Sequence, residues 1–129
     1  MPVRARVRVV QRGATIHHFS DEKDNAVILV YMTLNTMDEG QALARLLIER
    51  KLTNCVNFHQ ITCTYVWEGE ITTEPEIVAI VKTEVEHFKA VEAAVREVIT
   101  YTNFVGQIDV PRVNEAFATW LHDVVRGTT

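Results

Sequence analysis

The residues best suited to chemistry in this chain of 129 residues are two cysteines, five histidines and one lysine at a structural boundary. Cys55 and His59 stand four apart, and a thiolate with an imidazole suits Cu(I), Cu(II) or Zn(II). On one strand, that offset keeps both on the same face but roughly 13 Å apart, too far to share an ion. A metal site on Cys55 and His59 therefore needs a strand bend or residues from a neighbouring copy; otherwise Cys55 is a small buried hydrophobe. Cys63 is the lesser metal candidate. On the same strand it would lie roughly 26 Å from Cys55, which rules out a disulfide between them. Lys82 precedes Thr83, the expected start of a helix, where an ammonium and free backbone N–H groups could together hold a small anion. The plainer alternative is a lysine lying over the sheet. His17 and His18 are adjacent and point to opposite sides of an extended segment, and His87 and His122 fall on expected helices as solvated or capping residues. The chain has no supported Ser/His/Asp order, no Gly-rich phosphate loop and no His-Glu-x-x-His pattern. Nothing in it recommends a catalytic role.

These residues are carried by elements whose periodicity is legible. The first dozen residues alternate Val3, Ala5, Val7 and Val9 with Arg4, Arg6 and Arg8, which predicts a strand with one basic face, followed by a polar connector to Asn25. Residues 1–25 are thus read as an extension to a single domain spanning residues 1–129. Ala26 to Leu34, rich in β formers, predicts a central strand buried on both faces. Thr36 and Glu39 form a capping box that opens a helix running through Lys51. Residues 53–67 then predict a forward arm of roughly 50 Å, turning at Glu68-Gly69 into a return strand over Ile77 to Lys82 with Pro75 ahead of it. Thr83 and Glu86 suggest a second capping box, with Val85, Phe88, Val91, Val95 and Val98 as the buried stripe of the helix that follows. A short strand within Phe104 to Val110 and a last helix carrying Val113, Phe117, Trp120, Leu121 and Val124 complete the order. The result is an α+β, ferredoxin-like βαββαβ sandwich with a long protruding β-hairpin, an extra N-terminal strand and a C-terminal helix. Such a hairpin outruns its sheet. Ile61, Tyr65 and Trp67 would stand exposed along an open edge unless another copy covered them, so self-association is expected.

Composition narrows the partners. With 13 Lys and Arg against 17 Asp and Glu the net charge is −4, which disfavours general nucleic-acid binding. No run has the length of a membrane span and the N-terminus lacks the apolar core of a leader, so no membrane partner is expected. Two unpaired thiols then fit a reducing cytoplasm.

Four separate signals make the chain resemble the CutA divalent-ion tolerance proteins. They are Asn54-Cys55-Val56-Asn57, Tyr65-x-Trp67-x-Gly69-x-Ile71, Lys82-Thr83, and Asn114-x-x-Phe117-x-x-Trp120. The match runs from about Val27 to Trp120. The resemblance implies a homotrimer whose hairpins pack on their neighbours, with Tyr65, Trp67 and Trp120 at the interface. It implies a role tied to copper or another divalent metal, none being required for folding, and it places Cys55 where the family has its characteristic cysteine. It also implies a fold shared with the PII signalling proteins, so the alternative function is a PII-like module binding a small anion or metabolite between subunits near Lys82 and Tyr101. One stretch departs from the family. Where a His-Pro-Tyr-x-Val-Pro-Glu pattern is usual, this chain has residues 100–107, in which Tyr101 matches the tyrosine and Gln107 stands in the place of the carboxylate.

Overall fold

Four strands and three helices alternate through residues 26–127, the part of the chain described by the computed structural model. The expected N-terminal strand with Arg4, Arg6 and Arg8, and the connector with His17 and His18, lie outside the described residues. Strand β1 (Val27–Leu34) leads into helix α1 (Met37–Glu49), and β2 (Cys55–Trp67) turns into β3 (Glu70–Glu84). A 3-10 turn (Val85–His87), helix α2 (Phe88–Val98), strand β4 (Val105–Val110) and helix α3 (Glu115–Val125) follow. The strands form one antiparallel sheet in the order β2-β3-β1-β4. This is the ferredoxin-like order that the βαββαβ sequence pattern predicts.

Strand alternation sorts the side chains into two faces. Ile28, Val30, Met32 and Leu34 point to one side and pack with Leu43 and Leu47 of α1 and Val91, Ala94 and Val95 of α2 in a continuous core. Val27 points the other way and meets Leu121 and Val125 of α3. Helix α3 therefore covers one end of the face opposite α1 and α2. The remainder of that face is only partly covered: Leu29, Tyr31 and Ile80 are half-buried, so β1 is not sealed on both sides as its sequence suggests.

Helix α1 starts as expected. The Thr36 hydroxyl accepts from the Glu39 N–H while Glu39 Oε1 accepts from the Thr36 N–H, each at 3.2 Å. The helix stops at Glu49 because Lys51 turns to φ 60, which lets the Leu52 N–H reach back to the Leu47 carbonyl at 2.9 Å.

The β2–β3 hairpin is longer on its return arm than the sequence suggests. Glu68 (φ 50) and Gly69 (φ 82) make the tight turn, and pairing runs unbroken from Trp67↔Glu70 to Cys55↔Lys82. Pro75 does not precede β3 but sits inside it, opposite Thr62. It is tolerated because β1 pairs only with Ile77 to Glu84, so at Pro75 one side of β3 has no partner strand and an absent N–H costs little. Residues Ile61–Trp67 and Glu70–Glu76 thus form an overhang about 23 Å long, held by β2–β3 pairing alone.

The second capping box does not form. Strand β3 stays paired with β1 as far as Glu84↔Val27, and the buried Thr83 hydroxyl donates to the Leu52 carbonyl at 2.6 Å instead of capping a helix. Together with buried Thr53, whose hydroxyl donates to the Lys82 carbonyl, it fastens the α1–β2 loop to the end of β3.

Candidate functional site

Two of the sequence candidates are brought together. Cys55 opens β2 and Lys82 lies directly opposite it on β3, so both side chains rise from the same face of the sheet. Lys82 Nζ donates to Cys55 Sγ at 3.5 Å and stands 5.2 Å from the centre of the Phe117 ring on α3. The ring itself packs edge-on against Trp120 at 5.4 Å. A thiol, an ammonium and an aromatic face therefore share one half-buried corner, where the mouth of the hairpin meets the C-terminal helix.

His59 does not join them. It is exposed, opposite Val78, four residues along β2 from Cys55 and hence roughly 13 Å away. No bend in β2 closes that gap, since the pairing is continuous from Cys55 to Trp67. Among the described residues, no group of three or more His, Cys, Asp or Glu side chains is placed to hold a metal ion. The Cys55 sulfur, moreover, already faces a cation. Within one chain these donors do not make a metal centre.

Cys63 has acidic company. It stands opposite Glu74, and burial, then Glu76 and Glu74, push its thiol up from the ordinary value. Tyr65 shares this face and its hydroxyl donates to Glu74, which with burial raises the phenol to about 12.

The helix expected directly after Lys82 is displaced along the chain. Because β3 runs on to Glu84 and α2 begins only at Phe88, no α-helix N-terminus follows Lys82 as the sequence suggests.

Tyr101 serves another part of the fold. Its hydroxyl donates to Glu39 Oε1 at 2.6 Å and accepts from the Asn35 N–H at 2.8 Å, tying the α2–β4 loop to the start of α1 at the far end of β1 from Cys55. The same loop is held by Arg96, which donates to the Tyr101 carbonyl at 3.3 Å and to Asn103, and by Asn103 Nδ2 donating to the Thr33 carbonyl at 2.8 Å. These bonds fix the α2–β4 loop against β1 and α1. Gln107 is exposed and donates to Asp109 at 2.8 Å.

Burial, followed by the hydrogen bond to Glu39, raises the Tyr101 phenol from 10.0 to about 12, against a smaller opposing pull from the Asn35 N–H. The unfolded chain ionises near the ordinary value while the folded chain holds its proton, so this contribution is complete below pH 10 and is lost as pH rises towards 12. Tyr101→Phe should cost about 1 kcal/mol at neutral pH and flatten the alkaline fall in stability. Urea midpoints of both proteins across this range check it, and parallel alkaline curves would contradict it.

One cluster was missed by sequence reasoning. Glu84 is fully buried, 0% exposed, at the end of β3, where His122 Nδ1 donates to Oε2 and Arg126 Nε donates to Oε1 at 3.1 Å. His122, expected as a solvated or capping residue, is therefore a half-buried partner of a carboxylate, with its Nε2 buried. A histidine four residues before an arginine on a helix was the only signal available.

Of the expected interface residues, Tyr65 is half-buried, while Trp67 and Trp120 lie on open surface. Trp67 at the hairpin tip is 61% exposed, its neighbour Ile71 79%, and Trp120 48%. Phe104 and Ile108 on the β4 side are exposed too, with Phe104 edge-on to Tyr31 at 6.1 Å. Among the described residues no helix is long and apolar enough to cross a membrane.

The family model of the CutA1 divalent ion tolerance protein matches residues 28–124. The divalent-cation tolerance protein CutA of Thermococcus kodakarensis is 33% identical over 101 residues, spanning 78% of this chain and 97% of that protein. Among solved structures, the periplasmic divalent cation tolerance protein CutA from Archaeoglobus fulgidus aligns with a TM-score of 0.74 at 32% identity, covering 77% of this chain and 98% of its own. CutA1 from Oryza sativa aligns with a TM-score of 0.74 at 30% identity, covering 80% and 96%.

Proposed function

The chain belongs to the CutA1 divalent ion tolerance family, and from that premise we propose a cytoplasmic, non-catalytic homotrimer that binds copper or another divalent cation between its subunits. The observation that carries the assembly is the overhang: a two-stranded arm with Val66, Trp67 and Ile71 in water is marginal by itself. A second apolar surface, formed by Phe104 and Ile108 at β4, lies by the opposite edge of the sheet. Contact between two different patches is heterologous, and three such contacts close into a ring. Tyr65, Trp67 and Trp120 are the proposed anchors.

The cation is proposed to take Cys55 as its soft ligand and the remaining donors, His59 among them, from an adjacent subunit. Support comes from the placement of Cys55 on edge strand β2, where a neighbouring copy can approach it. Calorimetric titration of Cu(II) and Zn(II) into metal-free protein should give saturable binding that weakens at least about tenfold, roughly 1.4 kcal/mol, in Cys55→Ser. Binding that is unsaturable, or equal in the variant, would remove the metal role. The cytoplasmic placement rests on the unpaired Cys55 and Cys63.

A further inference from the structure

The Cys55–Lys82 pair has a chemistry that the metal role does not use. Antiparallel pairing fixes the two residues opposite one another, and the Phe117 ring lies beside the lysine, so sulfur and nitrogen face each other at 3.5 Å. Both residues are half-buried, and Cys55 is on an edge strand that a small oxidant can reach. Cys63 provides an internal comparison. It lies on the same strand and the same face, but opposite a carboxylate in place of an amine.

We propose that Cys55 and Lys82 form a peroxide-responsive, thiol-reversible covalent cross-link between β2 and β3. In the first step the Cys55 thiolate attacks hydrogen peroxide: an S–O bond forms, the O–O bond breaks, hydroxide leaves, and sulfur becomes a sulfenic acid. In the second, Lys82 gives up a proton to solvent and its amine attacks that sulfur. An S–N bond forms, the S–O bond breaks, and water leaves, with no further oxidant consumed. Two equivalents of a small thiol reverse the link, restoring thiol and amine and leaving the small thiol as its disulfide. A sulfenic acid condenses with a backbone nitrogen to a sulfenamide; here the sheet register supplies a side-chain amine in the same role.

The same corner cannot serve metal and cross-link at once, since each takes the Cys55 sulfur. The link itself depends only on this chain's register and not on trimer formation or metal binding. Cys63, whose thiol burial and the neighbouring Glu76 and Glu74 push up, has no amine opposite and should stay reduced under mild treatment.

The test is to treat the reduced, metal-free full chain with hydrogen peroxide at neutral pH, then measure intact mass and map peptides without reductant. The expected product is lighter by two hydrogens, carries the Cys55 and Lys82 peptides as one species, and reverts with dithiothreitol. Cys63→Ser should form the same product. Lys82→Arg keeps the positive charge but lacks the amine, and should instead hold an oxygen on Cys55 with no loss of mass. Wild-type protein that gains oxygen on Cys55 while Lys82 stays free, forms a disulfide between copies, or does not react would overturn the proposal. Because the decisive readout is made on the wild-type chain, a poorly folding variant cannot mask the outcome.

Discussion

Trp67→Asp should convert the assembled protein to monomers while leaving each subunit folded. Trp67 lies in the overhang, paired only with Glu70 across the hairpin and remote from the core formed by β1, β3, α1 and α2. Trp67 is 61% exposed and outside the core, so its loss leaves the subunit's packing in place and the far-ultraviolet spectrum should not change. In the proposed ring, however, the tryptophan is an anchor buried by a neighbour, and truncating such an anchor costs about 2 kcal/mol or more. A closed trimer repeats the contact three times, which amounts to about 6 kcal/mol per ring, or roughly four orders of magnitude in association. Introducing a carboxylate adds its desolvation to that loss. Sedimentation velocity across a concentration series should show the monomer at concentrations where wild type is fully assembled. An unchanged sedimentation coefficient would mean that the tip does not hold the assembly together.

The second large effect should come from Glu84→Ala. A fully buried carboxylate with two cationic or potentially cationic partners contributes little net stability when intact, because desolvation offsets attraction. Removing one member is different. His122, only 13% exposed at its side chain, would keep its Nδ1 without the acceptor it has in the intact cluster, and the penalty for such a broken pair is about 3 kcal/mol or more. Against a total of about 5–15 kcal/mol, that is a large share. The damage should begin at α3, which this cluster fastens to the end of β3, so hydrogen exchange should speed up over Glu115–Val125 before it does in β1. Glu97→Ala is the matched control. Its bidentate pair with Arg50 spans 2.7–2.8 Å, but both side chains are about half exposed, and solvent screening leaves such a pair little to contribute. Urea unfolding at one fixed protein concentration should separate the two variants clearly, and equal midpoints would refute the account of Glu84.

How much of this was legible from sequence depended on whether the deciding interaction was local. The Thr36–Glu39 capping box needs residues three apart, and it forms as expected. The Thr83–Glu86 pair has the same pattern and forms no cap, because β1 continues to pair with β3 through Glu84 and the Thr83 hydroxyl finds a carbonyl in the α1–β2 loop. Tertiary register overrode a local motif. Pro75 was misplaced for a related reason: a proline stops a central strand, but at the overhang β3 has a neighbour on one side only.

The candidate site shows the same division. With a two-residue turn at Glu68-Gly69, counting back along both arms pairs Cys55 with Lys82, so that contact was recoverable from the hairpin alone. Phe117 beside Lys82, and His122 and Arg126 at Glu84, were not recoverable. They depend on where α3 docks, and no spacing within α3 tells which end of the sheet it covers. Tyr101 was singled out through family resemblance as a ligand residue, yet its hydroxyl is occupied by Glu39 and Asn35, residues more than sixty positions away.

In the proposed trimer the exposed hairpin of one copy and the apolar β4 side of the next are two halves of one contact. Native mass spectrometry of the full chain at micromolar concentration should show a species of three times the 14.7 kDa chain mass, with little or no monomer. A monomer as the dominant ion under the same conditions would contradict it.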